Sequence, residues 1–98
     1  MIDAQDLERN SDEAATLLSA MANQKRLLIL CNLARGEVQV GVLAERVQLS
    51  QSALSQHLAK LRNQGLVSTR REAQTIFYSI NSNPVLQMLR TLDTLYCH

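Results

Sequence analysis

Two cysteines, Cys31 and Cys97, are the residues of this 98-residue sequence with most scope for covalent chemistry. Cys31 ends the apolar run Leu27-Leu-Ile-Leu-Cys31, where a free cysteine most often acts as a small buried hydrophobe. Cys97 stands beside the last residue, where no core needs it and contact with oxidants is expected. Because a thiol in a reducing compartment normally stays reduced, two thiols so placed are candidates for a redox switch, with core packing as the alternative for Cys31.

A second set of chemically capable side chains lies on a predicted helix between Ser50 and Gly65. Ser50 is suited to cap the helix start, and Gly65 is suited to end the helix in a left-handed conformation. Leu54, Leu58 and Leu61 form one apolar stripe on the helical wheel. The opposite face carries short polar groups that suit phosphates and base edges, namely Ser52, Gln56 and Asn63, flanked by Ser55 and Lys60.

The segments on either side of this helix predict how it is presented. Residues 38–47 have the pattern of a short helix whose apolar side, formed by Leu43, Ala44 and Val47, faces the core. A tight turn at 48–49 joins it to the helix that begins after Ser50. Two such helices form a helix-turn-helix, although any two-helix corner of a small domain has a similar pattern. Residues 66–71 and 75–80 are β-rich and separated by three residues, which predicts a hairpin directly after the helix pair. This order of elements, two helices followed by a hairpin, favours a mainly α winged helix-turn-helix fold.

The charge distribution supports this reading better than the total charge does. The net charge is only +1, which by itself argues weakly against a nucleic-acid partner. Residues 1–22 contain five acids and one arginine, a net of −4, whereas residues 46–71 contain five basic residues and no acid, a net of +5. The positive charge therefore lies on the half predicted to read DNA.

The remaining elements complete one domain over residues 1–98. Residues 1–9 are expected to be frayed or loosely helical, and Asn10 with Glu13 has the spacing of a capping box for a helix that ends near Ala22. Asn23 can cap a second helix, 24–35, which is predicted to be buried nearly all round. A last helix follows Pro84, over 85–96, with an apolar stripe that must pack on something. The simplest expectation is that this stripe packs against the first helix of the same chain and against a second subunit.

The class of protein is bounded by composition. The apolar content of 46% is that of a globular protein, and no apolar run approaches the length of a membrane span. The acidic amino terminus lacks the features of a signal peptide, so a cytoplasmic location is expected. Ninety-eight residues bury a modest fraction of their surface, which makes a subunit partner plausible.

Three segments carry a resemblance that covers nearly the whole chain: ANQKRLLIL at 22–30, LSQSALSQHLAKLR at 49–62 and GLVSTRREAQTIFYSI at 65–80. Together with the order of elements they resemble the ArsR/SmtB family of winged-helix repressors. The resemblance implies a homodimer joined through its first and last helices and bound to a double-stranded DNA operator. It implies that DNA is contacted by Gln51, Ser52, Ser55 and Gln56, with Arg70 and Arg71 on the wing side.

Cys31 and Cys97 stand where one branch of that family carries a dithiol pair. That branch implies a regulator whose operator binding changes on oxidation or on reaction with persulfides or polysulfides. With the helices packed together, the two sulfurs could approach each other across 66 positions of sequence. A disulfide requires Cα atoms within about 7 Å, and additional sulfur atoms in the link would relax that requirement.

Other functions remain as alternatives. Metal-sensing members of the family carry a Cys-x-Cys pair where this chain has Gln39 and Gly41, and their last helix carries Asp and His ligands where this chain has only Asp93 before His98. No metal or cofactor is therefore expected, although two thiols and the His98 imidazole could bind Zn²⁺ with a borrowed ligand. A small thiol oxidoreductase would normally show Cys-x-x-Cys at a helix start, which is missing here, so no enzyme is expected. A winged-helix module that binds protein is the third alternative.

His57 is expected to lie at the edge of the core or to contact a phosphate.

Overall fold

The computed structural model of the chain describes residues 3–97, so the expectations for His98 lie outside it. Six helices and three strands follow one another in the described part: α1 Ala4–Arg9, α2 Ser11–Met21, α3 Gln24–Leu33, β1 Val38–Gln39, α4 Val40–Val47, α5 Gln51–Asn63, β2 Val67–Glu72, β3 Thr75–Ile80 and α6 Asn83–Tyr96. The strands form one antiparallel sheet in the order β1-β3-β2. The mainly α winged helix-turn-helix predicted from the sequence is confirmed.

The helix-turn-helix formed by α4 and α5 has the predicted caps. The Ser50 hydroxyl accepts a hydrogen bond from the backbone N–H of Ala53 at 3.1 Å, which satisfies one of the free donors at the start of α5. Gly65 follows the end of α5 with a φ of +73°, the left-handed conformation that glycine adopts without steric cost. Gln48 ends α4 with a φ of +56°, a left-handed conformation that turns the chain sharply before α5.

The amino-terminal segment is helical, which was one of its two predicted alternatives for residues 1–9, of which residues 1–2 lie outside the described part, but its predicted capping box is absent. Residues 4–9 form a helix, whose start is capped by Asp3 through hydrogen bonds from the N–H groups of Gln5 and Asp6. The capping box of Asn10 and Glu13 was wrong, since the Asn10 side chain makes no capping bond to α2. Asn10 also ends α1, and its amide nitrogen donates to the Asp6 carbonyl at 2.9 Å, which turns the side chain away from α2.

The predicted helix over 38–47 was also too long. Val38 and Gln39 form strand β1 and pair with Tyr78 and Phe77 of β3, and the helix begins only at Val40. Val38 is β-branched and half-buried against the core, so pairing with β3 satisfies its backbone groups better than a first helical turn would. The wing therefore has a third strand, which attaches it to the start of the helix-turn-helix.

The hydrophobic core lies between the apolar sides of the helices and the sheet. Its largest fully buried members come from α3, α4, α5 and α6: Ile29, Leu30, Leu33, Leu43, Val47, Leu54, Leu58, Leu61 and Val85. The prediction that α3 is buried nearly all round was wrong, because Leu28 and Cys31 are exposed on its outer side. No helix in residues 3–97 has the length and apolar character that crossing a bilayer would require.

Candidate nucleic-acid interface and dithiol site

The polar face of α5 is directed away from the core over its whole length. Leu54, Leu58 and Leu61 are at most 1% exposed, and they hold the helix by its opposite face. The predicted DNA-contacting side chains are all exposed, namely Gln51, Ser52, Ser55, Gln56 and Lys60. Hydrogen bonds between residues 3–97 use none of these five side chains. Their donors and acceptors are therefore available for base edges and phosphates.

A lysine that the sequence did not single out fixes the entry to this helix. Lys25 extends from α3, and its Nζ donates a hydrogen bond to the Val47 carbonyl at 3.0 Å. That carbonyl belongs to the last turn of α4, directly before the left-handed Gln48. The charge-assisted bond satisfies a free carbonyl at the end of α4 and joins α3 to the turn before α5. Lys25 therefore contacts the chain three residues before the proposed reading helix begins at its Ser50 cap.

The two wing arginines lie in different environments. The Arg70 guanidinium donates to both carboxylate oxygens of Glu37, at 2.6 and 3.2 Å, and to Glu72 at 2.8 Å. It also stacks over the ring of its cross-strand neighbour Phe77, with 4.6 Å to the centroid. Arg71 is exposed and takes part in none of the ion pairs found in residues 3–97. Of the pair named from the sequence, Arg71 is the one whose charge is open to a phosphate.

The Glu37–Arg70 pair joins the wing to the segment that follows α3. Hydrogen bonding to Arg70 lowers the pKa of the Glu37 carboxyl, and the Arg70 charge acts in the same direction. Glu37 stands six residues after Cys31, between the helix that carries this thiol and strand β1. The pair could not be seen in the sequence because its members are 33 positions apart.

The two cysteines share one acidic neighbour on the last helix. Burial, followed by the negative charge of Asp93, raises the pKa of the Cys31 thiol. Hydrogen bonding to Asp93 has the largest effect in raising the pKa of Cys97, and the charges of Asp93 and Cys31 also contribute. Asp93 therefore acts on the pKa of both thiols. Neither of these two cysteines forms a disulfide, and Cys31, although partly desolvated, is too exposed to be the buried core hydrophobe of the alternative.

His57 and the possible metal ligands are the other candidate site residues from the sequence. His57 is half-buried at the edge of the core, and burial lowers its pKa, with Arg26 and Lys60 adding repulsion. Among residues 3–97 no three His, Cys, Asp or Glu side chains are grouped so as to hold a metal ion. Asp93 lies four residues before Cys97, a spacing that places two residues on the same side of a helix and that could have identified it.

Comparison with known proteins agrees with this geometry. Residues 23–69 match the family model described as "Bacterial regulatory protein, arsR family". The chain is 57% identical over 93 residues to the transcriptional activator HlyU of Vibrio cholerae, covering 95% of this chain and 86% of that protein. The structure of reduced HlyU from the same organism has a TM-score of 0.90 at 56% identity and covers 96% of this chain and 99% of HlyU.

Two further solved structures extend the comparison. The transcriptional repressor BigR of Xylella fastidiosa has a TM-score of 0.93 at 35% identity, with 99% of each chain covered. The homodimeric winged helix-turn-helix DNA-binding domain Mb0332 of Mycobacterium bovis has a TM-score of 0.79 at 30% identity, covering 97% of this chain and 89% of that one. An activator and a repressor both stand among these relatives. The winged fold, the open polar face of α5 and these identities all agree. The chain belongs to the ArsR family of bacterial regulatory proteins, whose members are DNA-binding transcriptional regulators and not enzymes.

Proposed function

We propose that this chain is a homodimeric, sequence-specific regulator whose operator binding is switched by oxidation or persulfide modification of Cys31 and Cys97. The observation that carries the proposal is that both cysteines are exposed, Cys31 on the outer side of α3 and Cys97 directly after the last turn of α6. Asp93 of α6 raises the pKa of both thiols, although they are 66 positions apart in sequence, which supports a shared site. The DNA-contacting residues proposed are Gln51, Ser52, Ser55, Gln56, Lys60, Arg70 and Arg71.

The dimer is supported by apolar side chains that the single chain leaves uncovered. Leu7 and Leu18 of the first two helices are 49% and 51% exposed, and Leu95 and Tyr96 at the end of α6 are 58% and 76% exposed. Only the first half of α6 is anchored in the core, by Val85 and Leu89. A second copy would cover the remainder of its stripe, and the related M. bovis domain is itself homodimeric.

Two kinds of signal molecule, a peroxide and a persulfide, can link the two cysteines in the proposed switch. A peroxide converts one thiol to a sulfenic acid with loss of water, and the second thiol then displaces another water to form a disulfide. A persulfide transfers its outer sulfur to one thiolate and leaves as a thiol. A second persulfide molecule can then oxidise this cysteine persulfide and the other thiol to a trisulfide, and is itself reduced to a thiol and hydrogen sulfide.

The effect on DNA follows from where the two thiols lie. Cys31 is on α3, which also carries Lys25, and Cys97 ends α6, which holds the proposed dimer seam. A covalent link between them would tie the seam to the helix that positions the turn before α5. A shift of a few ångströms between the two reading helices would forfeit contacts in one half-site, and about 3 kcal/mol is more than a hundredfold in affinity. The link must favour the non-binding conformation by at least that difference.

The decisive experiment is a DNA-binding titration on the region upstream of the chain's own gene, before and after treatment with persulfide, peroxide or diamide. We expect the reduced wild type to bind and the treated wild type to lose affinity, with a mass change that links the peptides containing Cys31 and Cys97. Cys31→Ser and Cys97→Ser should each bind like the reduced protein and resist treatment. Release of DNA from either treated variant would contradict the dithiol switch.

A metal-responsive regulator is the second candidate, and the structure offers it less support. The thiols and Asp93 in residues 3–97 do not form a group suited to a metal ion. Titration of the reduced protein with Zn²⁺ in the same binding assay distinguishes the two, because a metal sensor would release DNA without oxidation of either thiol.

A further inference from the structure

An open cleft lies beside Cys31 on the outer side of α3. Its volume is about 800 Å³, which is within the range of small-molecule sites. One wall is the end of α3 with Cys31, Asn32 and the following Arg35, and the other is α4 with Val42 and Arg46. Arg35 lies in the turn that follows α3, and it lines the same cleft as Cys31.

The cations of this cleft are open to a ligand. Both Arg35 and Arg46 are exposed, and neither takes part in an ion pair with the rest of residues 3–97. The acid of the cleft, Glu37, is already bonded through both oxygens to Arg70 of the wing. Two guanidinium groups without an ion-pair partner in the described chain favour an anion in the cleft that Cys31 also lines, and a guanidinium can hold a carboxylate through two parallel hydrogen bonds.

The cleft arginines are better placed to hold a ligand than to activate the sulfur. Burial and the charge of Asp93 raise the pKa of Cys31, and neither arginine is among the groups that act on it. A thiol with a raised pKa reacts slowly in free collisions, because the thiolate is the nucleophile. A donor held beside the sulfur by its far end would offset that low thiolate fraction through proximity.

We propose that this cleft is a docking site for anionic, carboxylate-bearing persulfides of small thiols, held by Arg35 and Arg46 with the outer sulfur presented to Cys31. This inference rests on the proposed function and names its class of signal molecule. The Cys31 thiolate attacks the outer sulfur, the S–S bond of the donor breaks, and the donor leaves as a thiolate that takes up a proton. Cys31 becomes a persulfide, and a second persulfide molecule can oxidise it together with the Cys97 thiol to a trisulfide, itself leaving as a thiol and hydrogen sulfide. Persulfides whose carboxylates are masked lack this docking step.

The first test measures docking without any redox chemistry. S-methylglutathione has two carboxylates and no free thiol, and it is titrated into the reduced protein while backbone amide NMR shifts are followed. We expect saturable shifts in residues 31–46. Arg35→Gln and Arg46→Gln should each weaken binding by about three- to fivefold, the size expected of one exposed ion pair. Arg62→Gln removes an exposed arginine of α5 outside the cleft and should leave the affinity unchanged.

The second test measures the rate of sulfur transfer by mass spectrometry. Glutathione persulfide is compared with the persulfide of its dimethyl ester, which has the same skeleton without carboxylate charge. The free acid should react faster with the wild type, and this preference should fall about tenfold or more in the Arg35→Gln, Arg46→Gln double variant. Thermal unfolding of each variant verifies that the fold is retained.

Equal affinity of the cleft variants and Arg62→Gln for S-methylglutathione, or shifts confined to other residues, would overturn the docking site. Equal transfer rates for the acid and its ester in the wild type would overturn it too. In either case, DNA release on persulfide treatment would leave the proposed function standing. Conversely, docking with persulfide transfer but without DNA release would refute the switch and retain the cleft.

Discussion

The two wing arginines should respond differently to substitution, although they are adjacent in sequence. Arg71 is exposed without an ion-pair partner in the described chain, whereas Arg70 is bonded to Glu37 and Glu72. In the proposed dimer each substitution is made twice. Arg71→Gln should therefore remove two phosphate contacts and lower the slope of log affinity against log salt by about 1.8, at about 0.9 for each contact.

That change of slope is large enough to measure. Between about 50 mM and about 200 mM salt, a difference of 1.8 in slope changes the ratio of mutant to wild-type affinity about twelvefold. Arg70→Gln should change the slope by much less, because two carboxylates already surround its charge. Glu37→Gln should steepen the slope, since it frees part of the Arg70 guanidinium for a phosphate.

Fluorescence anisotropy with a random-sequence duplex is the appropriate assay, because phosphate contacts are independent of sequence and no operator has to be known. The protein is kept reduced throughout. Lys25 and Ser50 are left intact so that the reading helix keeps its position. An unchanged slope for Arg71→Gln would remove this residue from the interface, and equal slopes for Arg70→Gln and Arg71→Gln would refute the protection by Glu37.

Three further outcomes follow from the structure. Gln56→Ala should cost about 1–3 kcal/mol on specific DNA and little on random DNA, since a base-edge contact carries discrimination; equal losses in a titration of both duplexes would contradict this role. Leu95→Asp, at a side chain 58% exposed in one chain, should dissociate the dimer without unfolding the subunit, and a dimer in sedimentation would show that the stripe packs elsewhere. Asp93→Asn should lower the pKa of both thiols because Asp93 raises both, so alkylation at fixed pH should accelerate, whereas Asp12→Asn, at an exposed acid of α2, should change nothing. Identical pH profiles of alkylation for the wild type and Asp93→Asn would contradict this cause.

Local chemistry made much of the fold readable from the sequence. The Ser50 and Asn23 caps, the left-handed Gly65 and the leucine stripe of α5 depend on residues within a few positions of one another, and each is found as predicted. The exposed polar face of α5 follows from the same stripe, because burying one side of a helix leaves the other in solvent.

Tertiary structure decided the features in which distant segments compete or meet. Residues 38–39 have a helical pattern, yet they become a strand because β3 offers them a hydrogen-bonding partner about 40 positions away. Cys31 belongs to an apolar run, yet it is exposed because the core takes only one side of α3. The neutralisation of Arg70 by Glu37, and the effect of Asp93 on the pKa of both thiols, likewise require the completed packing. Sequence periodicity reports which side of an element is apolar, whereas the partner of a charge or a thiol depends on how whole elements are arranged in space.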